Sequence, residues 1–521
     1  KSDLGSGKHK AGPALSTGAD MNVLLPEAAF QCSSTVACAV LATTLALVYI
    51  MVQPRRSAPG PRRFPLLGNA PQVLWQYHRF LDWFVDLRET YGPTVSIKIP
   101  SQPEYVMVST PECVEHILKT NFSNYQKGPE WRERFHELLG EGIFNADGPS
   151  WLSQRKIASN LFSVNNFKDH MLEVFNRHAA EVVRQVANTS TTRGDLDMHA
   201  LYHAYTLDSM GEVGFGVNIG SLHGEVPFQK SFDYCQTQAA ERFFRTNWKL
   251  QKWLNPAEWK MRSHLSVVHE FADAVVAARQ SDLAAGRISE RRDLLSLFMS
   301  RSDGDGKPFS GAYLRDVILN FTIAGRDTTA QALSWTTWLL ANHPEVERTM
   351  CAEIDEFVTE ETVSFETARQ LTYTTAVFNE ALRLYPSVPK DAVWAAADDV
   401  LPDGTAIRAG TQVVWLPYVM ARDPAIWPNP TAFDPTRFIE EGKAKMFSPF
   451  VNSAFKAGPR TCLGLNMAKL EATIMLALLY RTHVMRPVPG CEPKIKNSAS
   501  LPMENGIRLA PIPRERHLAR G

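Results

Sequence analysis

The segment Phe455–Gly464, which reads Phe-Lys-Ala-Gly-Pro-Arg-Thr-Cys-Leu-Gly, constrains this chain more than any other stretch. It holds one cysteine, Cys462, between Gly458 and Gly464 and directly before an apolar stretch with helical spacing. A thiol at a helix N-terminus meets unpaired backbone N–H groups and the positive end of the helix dipole, and both favour the thiolate. Flanking glycines let the backbone approach a flat partner closely. The pattern therefore predicts a thiolate presented to a partner outside the loop.

A single thiolate with no second thiol nearby suits the axial position of a haem iron. The alternative is a buried structural cysteine, which is the commoner fate of a lone cysteine. Arg460 can neutralise an acidic group on the bound partner. The complete spacing Phe-x-x-Gly-x-Arg-x-Cys-x-Gly resembles the haem-binding loop of cytochrome P-450 enzymes, and its fixed positions here are Phe455, Gly458, Arg460, Cys462 and Gly464. The resemblance implies haem b, with Cys462 as the ligand to its iron.

Composition excludes other classes of protein. The 521 residues include 55 basic and 55 acidic side chains, and a net charge near zero gives no case for nucleic-acid binding. The seven cysteines are an odd number, widely spaced and without a Cys-x-x-Cys pair, which argues against a disulfide framework or a zinc site. Length alone allows about three domains. No repeat or long Gly/Ser linker separates them, so one large domain is equally open.

The N-terminal region predicts a membrane anchor. Residues 1–20 are rich in Gly, Ser and Lys and precede the first methionine, Met21, so we interpret them as a leader outside the fold. Residues 28–52 contain no charged side chain, and a membrane span needs about 20 mainly apolar residues. The alternatives are a cleaved signal peptide or a buried helix, which polar residues such as Gln31 and Thr43 keep open.

A basic, proline-rich segment follows the predicted anchor. Arginines near its start are expected to stay on the cytoplasmic side of the membrane, and prolines such as Pro59 and Pro65 interrupt any helix. We therefore predict a hinge over residues 53–68. The catalytic domain is predicted over residues 69–521, on the cytoplasmic face of the endoplasmic reticulum.

Trp151 and Arg155 lie four residues apart, so a helix places them on one face. In cytochrome P-450 enzymes a pair with this spacing hydrogen-bonds a haem propionate. For the pair alone, a solvated arginine lying over a tryptophan is the commoner explanation. The glycines and prolines of Asn124–Gly148 predict a loop-rich stretch before this helix.

A long apolar helix is predicted from Gly311 to about Asn342. Ser310 can cap its N-terminus, and Pro344 ends it. Its centre, Ala324-Gly-Arg-Asp-Thr-Thr329, opposes helix propensity with one glycine and two adjacent threonines. Local rules are broken in this way most often at functional sites.

The centre of this helix resembles the oxygen-activation motif of cytochrome P-450 enzymes. Gly325 is expected to leave room for a diatomic ligand, Thr328 to hydrogen-bond it, and Asp327 to feed protons inward. The alternative is a helix kink in which the threonine hydroxyls bond back to their own carbonyls. A related branch of the family esterifies its haem to a glutamate at the position of Ala324, so alanine there implies haem bound without a covalent link.

Glu380 and Arg383 have the Glu-x-x-Arg spacing of a pair within one helix, which also occurs at Glu181 and Arg184. Position distinguishes the two pairs, because the later one precedes Arg437 and the cysteine loop. In the family such a pair joins the arginine of a Pro-x-Arg-Phe segment in a buried triad that holds the cysteine loop. The role is structural, since a buried charge without a partner is costly.

Taken together, these segments identify the chain as resembling a membrane-anchored cytochrome P-450 mono-oxygenase. The implied fold is mainly α with a small β region, preceded by one transmembrane helix. The implied partners are O2, a hydrophobic substrate and NADPH–cytochrome P-450 reductase. Four cations near the cysteine loop could face the acidic reductase, although a solvated charge run is the default interpretation: Lys443, Lys445, Lys456 and Arg460.

The substrate expectation rests on similarity to the eukaryotic fatty-acid ω-hydroxylase branch, carried by Asn124–Pro129, Leu139–Gly148, Asn320–Thr329 and Asp399–Gly404. Five side chains fall where family members contact substrate: Phe144, Phe321, Ala324, Val388 and Leu501. Alternatives stay open. They are a mono-oxygenase of sterols or terpenoids, an isomerase or dehydratase that needs no reductase, and a membrane protein that binds haem without catalysis.

Overall fold

The computed structural model describes residues 36–44, 56–162, 170–245, 247–287, 293–302 and 306–515. Its contacts divide the chain into two units, Lys1–Arg55 and Arg56–Gly521. In the first unit, residues 36–44 form a helix. The predicted leader and the rest of the predicted anchor lie outside the described residues. Within the part that is described, no helix combines the length and the apolar character that crossing a bilayer requires.

The second unit is mainly helical, as predicted. Its helices are α1 Ala70–Trp75, α2 Phe80–Tyr91, α3 Pro111–Glu115, α4 Gly128–Leu139, α5 Gly148–Ser159, α6 Leu172–Thr191, α7 Met198–Phe215, α8 Pro227–Glu241, α9 Trp248–Leu254, α10 Pro256–Ala284, α11 Leu294–Met299, α12 Gly311–Thr322, α13 Thr328–Asn342, α14 Pro344–Phe357, α15 Phe365–Gln370, α16 Thr372–Leu384, α17 Pro417–Met420 and α18 Leu465–Thr482.

A small β region accompanies the helices. The strands are β1 Thr94–Lys98, β2 Glu104–Val108, β3 Tyr125–Gln126, β4 Leu196–Asp197, β5 Asp391–Ala395, β6 Asp399–Val400, β7 Ala406–Ile407, β8 Gln412–Trp415, β9 Ile439–Glu440, β10 Lys443–Ala444, β11 His483–Pro487 and β12 Arg508–Pro513. The largest sheet has the order β1-β2-β8-β5-β3. Its β2–β8 pairing is parallel and its other pairings are antiparallel.

The predicted long helix is present, with a π turn at its centre. The side chain of Ser310 accepts a hydrogen bond from the backbone N–H of Tyr313 at 3.2 Å and so caps α12. The π turn Ile323–Asp327 joins α12 to α13, which ends before Pro344. The motif that opposes helix propensity therefore widens the helix by one residue and does not break it. Such π bulges are frequent at functional sites.

The main hydrophobic core holds this helix and the helix after the cysteine loop in fixed positions. Helix α13 packs against α7, and α18 packs against α6. Side chains of both α13 and α18, such as Leu333 and Ile474, are fully buried in one cluster. The two segments that carry the predicted chemistry are therefore anchored in the same core.

One sequence expectation about local structure is wrong. Helix α4 lies within Asn124–Gly148, which was expected to be loop-rich. The residues that suggested a loop are its boundaries: Gly128 has φ +73°, Pro129 occupies the first turn, and Gly140 has φ +51° at the C-terminal cap. Proline at a helix start and glycine just past its end are the usual positions for these residues.

The described part of the predicted hinge belongs to the folded domain. The backbone carbonyl of Pro59 accepts a hydrogen bond from Ser96 of β1 at 2.7 Å. Arg63 is buried and forms an ion pair with Glu104 of β2 at 2.6 Å. These contacts fasten the described part of the predicted hinge to the β1–β2 hairpin.

Candidate active site

A cavity of about 450 Å³ lies inside the second unit, between the π turn and the cysteine loop. Its wall is largely aromatic and aliphatic, and it brings together segments that are far apart in the sequence. The predicted site residues that line it are Phe144, Trp151, Arg155, Phe321, Ala324, Gly325, Asp327, Thr328, Val388, Phe455, Arg460, Cys462 and Gly464.

Cys462 is accessible from this cavity and sits three residues before α18. Its backbone N–H donates to the carbonyl of Phe455 at 2.9 Å, which closes the loop. Burial raises the pKa of the Cys462 thiol, although the backbone N–H of Gly464 and the charge of Arg155 oppose the shift. The backbone N–H after the cysteine thus favours the thiolate, whereas burial in the domain opposes it. A coordinated metal ion would favour the thiolate further, because coordination deprotonates a thiol.

The two glycines of the loop have different uses. Gly458 has φ +67°, and a Cβ there would lie 2.0 Å from the carbonyl oxygen of Leu118. This glycine therefore permits close packing within the protein, and not the approach of a flat partner as expected. Gly464 lines the cavity, where a Cβ would meet only ordinary contacts, the nearest being Phe162 at 3.8 Å.

Trp151 and Arg155 share one face of α5, as predicted from their spacing. The guanidinium of Arg460 lies 4.5 Å from the centre of the Trp151 ring, and that of Arg155 lies 5.8 Å from it. Arg460 is already paired within the protein, since its Nη2 donates to Asp147 Oδ1 at 2.6 Å. Arg155 forms no ion pair among the described residues. It is therefore the cation of this group that is open to an acidic ligand.

A second charged cluster lies at the start of β5. The Asp391 carboxylate pairs with Lys456 Nζ at 2.7 Å and with Lys127 Nζ at 3.2 Å. Burial disfavours the charged carboxylate, but the two lysines outweigh burial and hold the pKa of Asp391 well below its usual range. Lys445 pairs with Glu440 at 2.9 Å. Of the four cations proposed to face a reductase, Lys456, Arg460 and Lys445 thus have carboxylate partners in their own chain.

The π turn places Thr328 at the cavity wall. Its hydroxyl donates to the Ala324 carbonyl at 2.7 Å, which is the back-bonded geometry named above as the alternative. The hydroxyl oxygen keeps lone pairs that can accept a hydrogen bond from the cavity. Gly325 does not primarily make room for a ligand: a Cβ there would lie 2.4 Å from the sulfur of Met210 on α7.

Asp327 is buried between helices and opens onto the cavity. Its Oδ2 accepts a hydrogen bond from Gln236 at 2.6 Å, and its Oδ1 lies 3.1 Å from Arg326. Burial raises the pKa of Asp327 to about 6, against the opposing charge of Arg326. The Arg326 guanidinium also pairs with Asp233, whose side chain is 50% exposed. This chain of charged groups connects the cavity wall with the protein surface.

Glu380, Arg383 and Arg437 come together outside the cavity. Arg383 forms two hydrogen bonds with Glu380, at 2.7 and 2.8 Å, and Arg437 Nε lies 3.3 Å from the same carboxylate. Glu380 and Arg383 are buried. A small cavity shared by Arg383 and Asn452–Ala454 places this triad directly behind the start of the cysteine loop.

The structure does not place Leu501 at the cavity. Its side chain is fully buried in the main core, and its backbone is held by Gln331 at 2.9 Å and by Trp335 at 3.1 Å. The neighbouring Ser500 lines the cavity in its place.

Sequence reasoning also missed three polar residues near the site, which no motif marks: Gln236, Lys390 and Glu471. Gln236 supports Asp327 from α8, whereas Lys390 and Glu471 line the cavity. Burial raises the pKa of Glu471 well above its usual range. Only the position of each side chain in the folded protein links it to the site.

Comparison with known proteins decides the family. The family model described as Cytochrome P-450 matches residues 58–509. The chain belongs to the cytochrome P-450 family. It is 34% identical to cytochrome P-450 704B1 of Arabidopsis thaliana, over 87% of this chain and 95% of that protein. It is also 34% identical to cytochrome P-450 704C1 of Pinus taeda, over 92% and 97% of the two chains.

A fungal relative carries the activity in its name. The chain is 34% identical to cytochrome P-450 monooxygenase cyp1 of Mycosarcoma maydis, over 82% of this chain and 69% of that protein. Membership makes this P-450 a mono-oxygenase and therefore an oxidoreductase. It also implies a haem-thiolate iron cofactor, O2, a redox partner and a hydrophobic substrate.

The residues of this P-450 fit such a cofactor. The cavity wall presents the thiol of Cys462, the guanidinium of Arg155, which has no ion-pair partner in the described part of the chain, and a flat aromatic surface at Trp151. Gly464 adds no side chain beside the thiol. These residues can therefore hold an iron macrocycle and its acidic substituents.

Proposed function

We propose that this P-450 hydroxylates fatty acids at or near the terminal methyl group, with Cys462 as the ligand to the haem iron. The observation that carries the proposal is the apolar cavity onto which Cys462, Thr328 and Asp327 all open. A thiol, a hydroxyl and a carboxyl with a raised pKa on the wall of one apolar chamber suit oxidation of an unactivated C–H bond. The apolar wall binds the hydrocarbon part of the substrate, and the polar groups donate and accept protons.

Haem bound there would supply the activation of O2, and its thiolate ligand favours cleavage of the O–O bond. Arg155 is proposed to pair with a propionate. The indole N–H of Trp151 would donate a hydrogen bond to the same propionate, while Arg460 stays bound to Asp147. The absence of a carboxylate at Ala324 supports non-covalent binding.

Asp327 and Thr328 are proposed to move protons to the reacting oxygen. A carboxyl whose pKa is raised to about 6 can both give and regain a proton near neutral pH. Gln236 and Arg326 hold the carboxyl in place, and Asp233 links it to solvent. The Thr328 oxygen, fixed by its bond to Ala324, would hold a water molecule in the chain by accepting a hydrogen bond from it.

Phe144, Phe321, Ala324 and Val388 are proposed to contact the substrate, because they line the apolar part of the cavity. The fatty-acid assignment is supported by the sequence similarities around Leu139–Gly148 and Asn320–Thr329. Since side chains of this kind would also accept other hydrocarbons, the choice among substrates requires a direct assay.

Membrane attachment is proposed through residues 28–52, in the endoplasmic reticulum and with the catalytic domain on the cytoplasmic side. Exposed apolar side chains just after this segment support a membrane-facing surface: Leu66 is 72% exposed, Leu74 66% and Trp75 80%. Electrons are proposed to come from NADPH–cytochrome P-450 reductase. The exposed Lys443 remains the candidate contact of the four cations.

The proposal is tested by reconstituting the haem-loaded protein with the reductase in lipid vesicles. Fatty acids, sterols and terpenoids are screened for shifts of the haem spin state and for oxidised products. The proposal expects a terminally hydroxylated fatty acid and NADPH consumption that depends on substrate. Products confined to sterols or terpenoids would overturn the substrate class. Product formed without reductase would indicate an isomerase or dehydratase, and binding without any product would indicate a haem carrier.

A further inference from the structure

Lys390 is a cation in the cavity that neither the sequence motifs nor the proposed chemistry uses. It follows Val388 closely and precedes β5, and it lines the cavity. Its Nζ donates one hydrogen bond, to the backbone carbonyl of Ser498 at 2.8 Å. Among the described residues it has no carboxylate partner. The nearby Lys127 and Lys456, in contrast, share the carboxylate of Asp391.

We propose that Lys390 binds the carboxylate of the substrate inside the cavity. The inference rests on the proposed fatty-acid hydroxylase function and adds the residue that recognises the acid. A lysine ammonium has three N–H donors and no acceptor, so the contact with Ser498 leaves two donors for a ligand. In an otherwise apolar chamber these donors select an anionic group, because an unpaired buried charge is costly. Burial lowers the pKa of Lys390 to about 8, which still leaves it mainly protonated at neutral pH.

The position of Lys390 also bears on the length of the acid. The Ser387 hydroxyl donates to the backbone carbonyl of Thr328 at 2.7 Å, so Ser387 lies against the π-turn helix. Lys390 follows three residues later, and three extended residues span at most about 11 Å. A carboxylate held at Lys390 therefore lies at the cavity wall, close along the chain to the residue that contacts the π-turn helix. The length of acid that fits is then set by the distance between Lys390 and the reacting centre.

A haem propionate is the competing partner for Lys390. Arg155 is a second cation of the cavity without an ion-pair partner in the described ranges, and its contact with Trp151 lies beside the cysteine loop. Lys390 instead bonds to Ser498 on the C-terminal loop, and among the described residues it forms no hydrogen bond or ion pair with the cysteine loop. Because Arg155 lies against Trp151 and Lys390 is held by Ser498, Arg155 is favoured as the propionate partner and Lys390 as the substrate partner.

The test uses full-length, haem-loaded protein and its Lys390→Met variant, with Lys496→Met as the control. Lys496 lies on the same C-terminal loop as Ser498, bonds to Thr237 at 3.2 Å and does not line the cavity. Dodecanoic acid and its methyl ester are titrated by the shift of the haem spin state. A charge-assisted hydrogen bond accounts for roughly a tenfold change in affinity or more. We expect Kd for the acid to rise at least tenfold in Lys390→Met, with little change for the ester or in Lys496→Met.

Three results would overturn the inference. The first is an equal loss of affinity for the acid and the ester, and the second is an unchanged affinity for the acid. The third is loss of haem without selectivity between the two ligands. Each would remove Lys390 as the carboxylate anchor. The last result would assign it to a propionate. Wild-type turnover of dodecanoic acid separates the two proposals. If the wild type hydroxylates the acid and Lys390→Met fails to discriminate, only this inference fails. If the wild type oxidises no fatty acid, both fail.

Discussion

Replacing Arg383 by methionine removes the central cation of the buried triad. Arg383 donates to Glu380 at 2.7 and 2.8 Å, and also to the backbone carbonyls of Ala421 at 2.5 Å, Pro430 at 2.8 Å and Ala432 at 3.1 Å. Methionine restores none of these hydrogen bonds. The variant leaves a fully buried carboxylate whose remaining cationic contact is Arg437.

Removing one partner of a buried ion pair lowers the free energy of unfolding by about 3–5 kcal/mol. That is a large share of a total stability of about 5–15 kcal/mol. The chain contains a matched control, because Glu181 and Arg184 have the same spacing on the surface of α6, where the Arg184 side chain is 61% exposed. An exposed pair contributes about 0–1 kcal/mol. Arg383→Met should therefore be destabilised by several kcal/mol more than Arg184→Met.

The assay is urea unfolding, followed by tryptophan fluorescence and by haem absorbance. Arg383→Met should unfold at a clearly lower urea concentration and lose haem first, because the triad lies behind Asn452–Ala454 at the start of the cysteine loop. Arg383→Lys keeps the charge and serves as a milder variant if Arg383→Met does not accumulate. A midpoint for either Arg383 variant equal to that of Arg184→Met would refute this account of the triad.

Two further predictions concern proton movement. Thr328→Ala removes the hydroxyl and little side-chain volume, so haem content and substrate binding should survive. More of the NADPH consumed should yield hydrogen peroxide, and less should yield hydroxylated product. An unchanged product-to-NADPH ratio would remove Thr328 from the proposal. Because burial raises the pKa of Asp327 to about 6, its proton-donating form declines as the pH rises above that value, and wild-type turnover should decline with it. Asp327→Asn should turn over substrate roughly a hundredfold more slowly, and its turnover should not depend on pH in this range. Parallel pH dependences of turnover in the two proteins would contradict the role of Asp327.

Local patterns predicted the elements whose signals lie within a few residues. The cap at Ser310, the helix through α12 and α13, and the shared face of Trp151 and Arg155 all follow from spacing along one helix. Helix α4 was missed because Gly and Pro mark helix boundaries as well as loops, and only the tertiary context distinguishes these uses.

The parts of the site that sequence could not predict depend on contacts between distant segments. Gly325 accommodates Met210 and Gly458 accommodates Leu118, so both glycines serve packing partners that lie far away in the chain. Lys390 has no motif around it, and its proposed role follows from its place in the cavity wall. The raised pKa of Cys462 likewise reflects burial by the whole domain, which outweighs the local effect of the helix terminus.

Binding of the haem iron by the Cys462 thiolate is tested by the absorbance spectrum of the reduced, carbon-monoxide-treated protein. The wild type should show the strongly red-shifted Soret band of thiolate-ligated haem. Cys491→Ser, which changes a cysteine remote from the loop in sequence, should keep that band, whereas Cys462→His should lose it even if haem is retained. A red-shifted band that persists in Cys462→His would contradict the account.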